Sequence, residues 1–347
     1  MEEKISVIIP CYNVEKYIDR CLASVARQTI GIEKLEIICV NDASTDGTWQ
    51  KLSAWERKYP QNILLVDCAQ NGKLGRARNI GLTHASGDYV AFLDADDWME
   101  PDSYEKLYRV IRDYQCDIAA FQFVRDDGVR NVWERQKRRE SEDFCLDLTD
   151  DAERKKVLAT ALMDNGCTDK MYTRAFIVQN NLQFPQGCAY EDIYWGVLVQ
   201  LCAGRVYFLN EKLYHYYINP DSIVLKKDEP YHMDIFYTTM LMWEECGRRG
   251  ALERYPREME LNFLIYYYLG GLKMLALRHT DLKYGEYQKM CETVRQTVPE
   301  YKTNPYLTQV LDDMQQLEIA LIEQDISQKE FAQVLELLRG RNRKVNR

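Results

Sequence analysis

The order of apolar and polar stretches predicts an α/β domain, with a mostly parallel sheet flanked by helices, followed by an α-helical appendage. Three observations predict it. Short continuous apolar runs alternate with amphipathic helical stretches from Ile5 to Phe123. Polar residues cluster just after those runs. From about Pro230 the strand pattern stops and helical periodicity takes over.

Ile5–Pro10 is apolar throughout, as in a strand buried on both faces. Val14–Arg27 carries Ile18, Cys21, Leu22 and Val25 at helical spacing. Leu35–Val40 is a second buried strand, followed by a helix over Thr48–Lys58. Ile63–Val66 is a third strand, Leu74–Ala85 a helix and Tyr89–Leu93 a fourth strand. Pro101–Tyr114 is a helix with proline in its first turn, and Asp117–Phe123 a fifth strand. Strands separated by helices pair in parallel through right-handed crossovers. Ala152–Met163, Thr173–Asn180 and Glu191–Leu201 read as helices, Arg205–Leu209 and Lys212–Tyr217 as short strands. Arg125–Phe144 is charged and irregular. Tyr231–Arg249, Glu258–Arg278, Lys283–Val298, Leu307–Glu323 and Gln328–Arg339 then read as amphipathic helices. The expected division is a catalytic domain over 1–228 and a helical region over 229–347.

The 347 residues carry a net charge of −9, which argues against a nucleic-acid binder. Eleven cysteines without CxxC pairs point to a reducing compartment. The N-terminus lacks a leader pattern, and no apolar run is long enough to cross a membrane. The expected location is therefore cytoplasmic. The basic end (Arg339, Arg341, Arg343, Lys344 and Arg347) is compatible with peripheral contact with anionic lipid on the inner face of the plasma membrane. The C-terminal helices are compatible with a homodimer.

In open α/β sheets ligands bind beyond the carboxyl ends of the strands. The residues there are Pro10-Cys11-Tyr12-Asn13, Asn41-Asp42 and Asp94-Ala95-Asp96-Asp97, with Lys73 to Arg78 opening the third helix. Three carboxylates within four residues repel and call for a cation; Mg²⁺ and Mn²⁺ suit such oxygen sites. Helix capping by Asp97 is the plainer alternative for one of them. Asp42 can accept from a base N–H or a ribose hydroxyl, and Tyr12 can stack on a base. Lys73 and Arg78 offer cations to a diphosphate, though the order is not that of a Walker loop. Glu191 and Asp192 open a helix, where they favour its dipole or serve as a base.

Together these motifs resemble the family 2 glycosyltransferases, which have the GT-A fold. The resembling residues are Ser6–Asn13, Asn41–Thr48, Ala77–Gly81, Gly87–Asp97 with its DXD motif at Asp94-Ala95-Asp96, Asp169–Tyr172 and Glu191-Asp192. They span roughly residues 4–225. The resemblance implies an inverting, metal-dependent transfer from a nucleotide-diphosphate sugar, usually a UDP-sugar, to a saccharide or lipid-linked acceptor in cell-surface polysaccharide synthesis. It implies that Asp42 recognises the base, with Pro10, Tyr12 and Asn13 lining the pocket. Asp94 would hold the ribose or support the metal site, Ala95 would lie at the nucleotide sugar, and Asp96 would ligate Mn²⁺ or Mg²⁺. Lys73, Arg78 and Lys170 would lie near the diphosphate or acceptor. Asp192 would be the general base, with Glu191 beside it. His215 lies where some relatives place a metal or phosphate contact; its neighbours Tyr214 and Tyr216 suggest a packed aromatic segment instead.

Two other classes meet the same residues. A nucleotidyltransferase on a similar sheet would carry a basic Gly-rich loop after the first strand, where this chain has Pro10-Cys11-Tyr12-Asn13. A catalytically silent nucleotide-sugar-binding protein would be expected to have lost part of the set Asp42, Asp94, Asp96 and Asp192; all four are present.

Overall fold

The computed structural model describes residues 3–126, 131–133, 142–160, 162–219 and 225–345. It divides into two compact units. The first comprises Met1–Arg154, Leu162–Gly187 and Trp195–Pro220; the second comprises Lys155–Ala161, Cys188–Tyr194 and Asp221–Arg347.

The first unit is built on one sheet. Its strands are β1 (Ile5–Cys11), β2 (Leu35–Asn41), β3 (Ile63–Asp67), β4 (Tyr89–Phe92), β5 (Trp98–Met99), β6 (Ile118–Asp126), β7 (Asn131–Trp133), β8 (Phe144–Asp147), β9 (Lys170–Thr173) and β10 (Arg205–Tyr217). They run in the order β3-β2-β1-β4-β9-β6-β10-β5, with β7 on β6 and β8 on β10. β3, β2, β1 and β4 pair in parallel, as the strand-helix alternation requires. β9 enters antiparallel between β4 and β6, and β6 pairs in parallel with β10. The short strands β5, β7, β8 and β9 and the shape of β10 differ from expectation. The four residues of β9 are too few to show a period and carry Lys170, so sequence patterning passed over them. The two expected strands near 205–217 are one strand, bent where its register with β6 shifts between Phe208 and Tyr214.

The helices are α1 (Ile18–Ala26), α2 (Thr48–Lys58), α3 (Lys73–His84), α4 (Ser103–Tyr114), α5 (Asp151–Ala159), α6 (Arg174–Gln179) and α7 (Glu191–Cys202). β1 alternates its side chains across the sheet. Ile5, Val7, Ile9 and Cys11 share one core with Ile18, Cys21, Leu22 and Val25 of α1 and Tyr104, Leu107 and Ile111 of α4. Each fully buried aliphatic side chain contributes about 1.5–3 kcal/mol. On the other face α3 lies close against β1, because Gly81 has no side chain: a Cβ there would stand 2.3 Å from Ile8 Cγ2.

The second unit is helical, as expected: α8 (Asp234–Arg248), α9 (Ala251–Arg254), α10 (Pro256–Phe263), α11 (Gly271–Arg278), α12 (Tyr284–Thr297), α13 (Tyr306–Gln309), α14 (Asp313–Ala320) and α15 (Gln328–Val345). Leu264–Gly270 joins α10 to α11 as a π-helical turn set, so Pro256–Arg278 is one continuous rod. The helix expected over Leu307–Glu323 is broken. Asp312 adopts an extended backbone and forms a capping box with Gln315 that starts α14 afresh. Of the basic end, Arg339 donates to the carbonyls of Ala276 and His279, and Arg341 pairs with Asp312. The side chains of Arg343 and Lys344, and all of Arg347, lie outside the described residues.

Candidate functional site

In the first unit, the parallel strands bring a polar group together at their carboxyl ends. The loop after β1 is laced to the loop after β2. Asn13, at φ +53°, accepts from Thr45 N–H (2.8 Å) and donates its own N–H to Ser44 Oγ (3.1 Å). Val14 N–H donates to Thr48 Oγ1 (2.8 Å), and Gly47 N–H to Glu15 (2.6 Å). This lacing holds the backbone around Tyr12, whose side chain stays 48% exposed and so open to stacking. Pro10 is buried inside β1.

Asp42 follows β2 and is buried. Both its oxygens accept from Gly72 N–H at 3.0 Å, which ties it to the start of α3. Burial pushes its carboxyl above the ordinary range; that N–H and the Arg76 cation oppose the shift. Lys73, at φ +64°, opens α3. One turn on, the buried Arg78 donates to Asp94 Oδ1 at 2.9 Å.

The three carboxylates after β4 have separate fates. Asp94 meets Arg78. Asp96 accepts from Asn219 Nδ2 (3.1 Å), while its main-chain carbonyl takes Arg20 Nη2 (2.8 Å). Arg20 is held by stacking 3.7 Å over the Trp98 ring. Asp97 is buried and turned the other way, accepting from the Tyr214 hydroxyl and from Tyr217 N–H (2.7 Å). Helix capping does not explain it; α4 starts after Asp102. Burial, then the neighbouring Asp94 charge, pushes Asp96 up. Burial, then Asp96 and Asp94, pushes Asp97 well up. Ala95 is buried between them.

Sequence reasoning missed Arg20, Trp98, Asn219 and the Tyr214–Asp97 pair. Apart from Asp97, none lies in a motif; the antiparallel pairing of β5 with β10 sets Trp98 beside His215, and Arg20 stacks on Trp98. His215 stacks on Trp98 (centroids 4.8 Å apart) between Asp126 (3.0 Å) and Glu100 (2.7 Å), so it is a packed residue with both nitrogens engaged. Lys170 is buried at the start of β9, where Nζ donates to Gly166 O (2.6 Å) and to Asp169 Oδ1 (2.5 Å).

Glu191 and Asp192 open α7 and belong to the second unit. Glu191 is buried and Asp192 half-buried. That unit also holds the one group of three ligand-type side chains that converge tightly enough for a metal among the described residues: Asp228, His279 and Asp281.

The DXD carboxylates nonetheless fit a cation. Burial and mutual repulsion both raise Asp96, so positive charge beyond Arg78 and Arg20 would be favourable there. Asp96 and Asp94 supply hard oxygen donors of the kind Mn²⁺ and Mg²⁺ take.

The family model described as Glycosyl transferase family 2 matches residues 6–178. Glycosyltransferase GlyA of Streptococcus pneumoniae is 34% identical over 238 residues, covering 64% of this chain and 32% of GlyA. Poly(ribitol-phosphate) beta-N-acetylglucosaminyltransferase TarS of Staphylococcus aureus is 26% identical over 258 residues, covering 74% of this chain and 41% of TarS. The chain therefore spans about a third of GlyA and two fifths of TarS. A crystal structure of TarS 1–349 with UDP-GlcNAc superposes with TM-score 0.69 at 20% identity, covering 92% of this chain and 87% of that one. That likeness shows the GT-A fold.

Proposed function

From a chain that belongs to glycosyl transferase family 2, we propose an inverting transferase that moves a sugar from a UDP-sugar to a hydroxyl of a saccharide or lipid-linked acceptor in cell-surface polysaccharide synthesis. The observation that carries the reading is the polar group at the carboxyl ends of the parallel strands. There Asp42 is tied to the start of α3, and Asp94 and Asp96 end β4 with Arg78 beside them. The acceptor class is supported by the names of the relatives, among them TarS with its poly(ribitol-phosphate) substrate.

In this reading Asp42 accepts from the uracil, with Pro10, Tyr12 and Asn13 around the base. Asp94 and Ala95 lie at the ribose. Arg78 orients Asp94 and, with Lys73, adds positive charge towards the diphosphate. Lys170 holds the 166–170 turn. Asp96, supported by Asp94, is the ligand for Mn²⁺ or Mg²⁺, which would stabilise negative charge on the departing diphosphate. Asp192, with Glu191 beside it, takes the proton of the acceptor hydroxyl as that oxygen bonds to the anomeric carbon. The bond from that carbon to the diphosphate breaks on the opposite face, and UDP leaves. Arg339 and Arg341 are engaged internally, so any contact with anionic lipid falls to Arg343, Lys344 and Arg347.

The test is UDP release from a panel of UDP-sugars with Mn²⁺, alongside calorimetric titration with UDP. Asp96→Ala is expected to lose both UDP release and metal-dependent UDP binding. Asp192→Asn is expected to keep UDP binding and lose about 10²–10⁴ in turnover, the usual worth of a general base. Absence of UDP binding by the wild type in the presence of Mn²⁺ would overturn the uridine assignment.

A further inference from the structure

Tyr190, immediately before Glu191 and Asp192, stands at φ +62°, a conformation that costs a non-glycine residue about 1–2 kcal/mol. Something must hold it there. Three elements of the second unit do so.

The 3₁₀ turn Pro230–Met233 supplies His232, which is fully buried. Its Nε2 lies 2.8 Å from the carbonyl of Lys226, and its Nδ1 2.8 Å from the Tyr190 hydroxyl. A carbonyl only accepts, so Nε2 donates to it and Nδ1 is the ring atom that meets the phenol. Burial pushes the Tyr190 phenol up to about 12, so the hydroxyl keeps its proton and donates. The second element is α8. Its first residue, Asp234, accepts from Ala189 N–H at 2.9 Å, and Thr238, one turn on, donates to Ala189 O at 2.8 Å. The third is α11, whose Met274 Sδ lies 3.2 Å from the Tyr190 hydroxyl. Ile193 N–H returns to Tyr190 O at 3.1 Å and closes the first turn of α7.

Residue 189 is thus held through its backbone on both sides and residue 190 through its side chain. The next two residues are the carboxylates. We propose that the Tyr190–His232 pair is a positioning device for the reaction: with Asp234 and Thr238 it fixes the strained turn from which Asp192 projects. This rests on the reading of Asp192 as the base. It gives a role to the helical unit, for which the sequence offered none: three of its elements set the carboxylate's place. Misplacing a reacting group by about 1 Å can cost as much as 10²-fold in rate.

The test uses the full chain and Tyr190→Phe, which removes one buried oxygen and keeps the ring. Tyr194→Phe, on the same helix and outside the clamp, is the control. Hydrogen–deuterium exchange of amides 189–193 is expected to rise about tenfold in Tyr190→Phe and to stay at the wild-type rate in the control. With the UDP-sugar that the wild type hydrolyses, kcat for UDP release is expected to fall about tenfold with KM within about twofold. In an Asp192→Asn background, Tyr190→Phe should have no further effect on the residual rate, because it acts through that carboxylate. A merely structural role would lower Tm and leave kcat per folded molecule unchanged. Unchanged exchange would overturn the clamp, and faster exchange with unchanged kcat would overturn its role in the reaction. Full turnover by Asp192→Asn would instead bring down the reading of the base, and this inference with it.

Discussion

Asp96 and Asp97 are adjacent in sequence, and their side chains do different work. The sequence offers Asp96 as the cation ligand and leaves Asp97 between the acidic cluster and a helix cap, because a linear reading cannot tell which way consecutive side chains leave a turn. The partners decide. Asp97 is buried and accepts from Tyr214 and Tyr217 of β10, whereas Asp96 accepts from Asn219 and is less buried. Asp97 is therefore a strut between the 94–97 turn and β10. Asp97→Ala would strand the buried Tyr214 hydroxyl and the half-buried Tyr217 N–H, costing about 1–3 kcal/mol after relief of repulsion from Asp96 and Asp94. Urea denaturation should show that loss, while calorimetry on the folded fraction still shows metal-dependent UDP binding. Asp96→Ala should give the opposite pair of results. Loss of UDP binding at full stability in Asp97→Ala would make it a ligand after all.

At the scale of elements, long periodic runs were legible and short ones were not. α2 was read with its observed bounds, and β1, β2, α3 and α7 to within a few residues, because burial on one face writes a period into a helix and burial on both faces writes a continuous apolar run into a strand. β5, β8 and β9 have two to four residues each, too few for a period, and long-range pairing makes them strands. The same limit hid Trp98, on which Arg20 of α1 stacks. Gly81 of α3 was legible as part of a motif but without a reason, and the structure supplies one. It lets α3 approach β1, and α3 is the element that carries Arg78 to Asp94. Gly81→Ala would place a methyl against Ile8, and overpacking of that kind costs about 1–3 kcal/mol. Trimming the opposing side chain, Ile8→Ala, in the same background should recover part of the loss, so that the two changes are less than additive in urea denaturation. Strict additivity would show that the two residues do not meet.

At the scale of the whole molecule, an acidic group in each unit could attract a cation, and their chemistry differs. In the second unit Asp228 already accepts from Thr280 N–H and from its hydroxyl, both at 2.7 Å, and Asp281 pairs with Lys283 at 2.9 Å. These bonds hold both carboxyls below their ordinary range: Thr280 acts first on Asp228, and Lys283 first on Asp281. A cation there would displace an ammonium and compete with a backbone N–H. In the first unit the sign is reversed. Burial and the Asp94 charge raise Asp96, so a cation would relieve a cost already present. A divalent ion should therefore favour the first unit. The expected result is that Asp281→Ala leaves the Mn²⁺ dependence of UDP binding unchanged, while Asp96→Ala abolishes it. Calorimetric titration of UDP with and without Mn²⁺ reads both. Were Asp281→Ala to remove the metal dependence and Asp96→Ala to spare it, the metal would belong to the helical unit, and the carboxylates after β4 would have to act on the donor by hydrogen bonding alone.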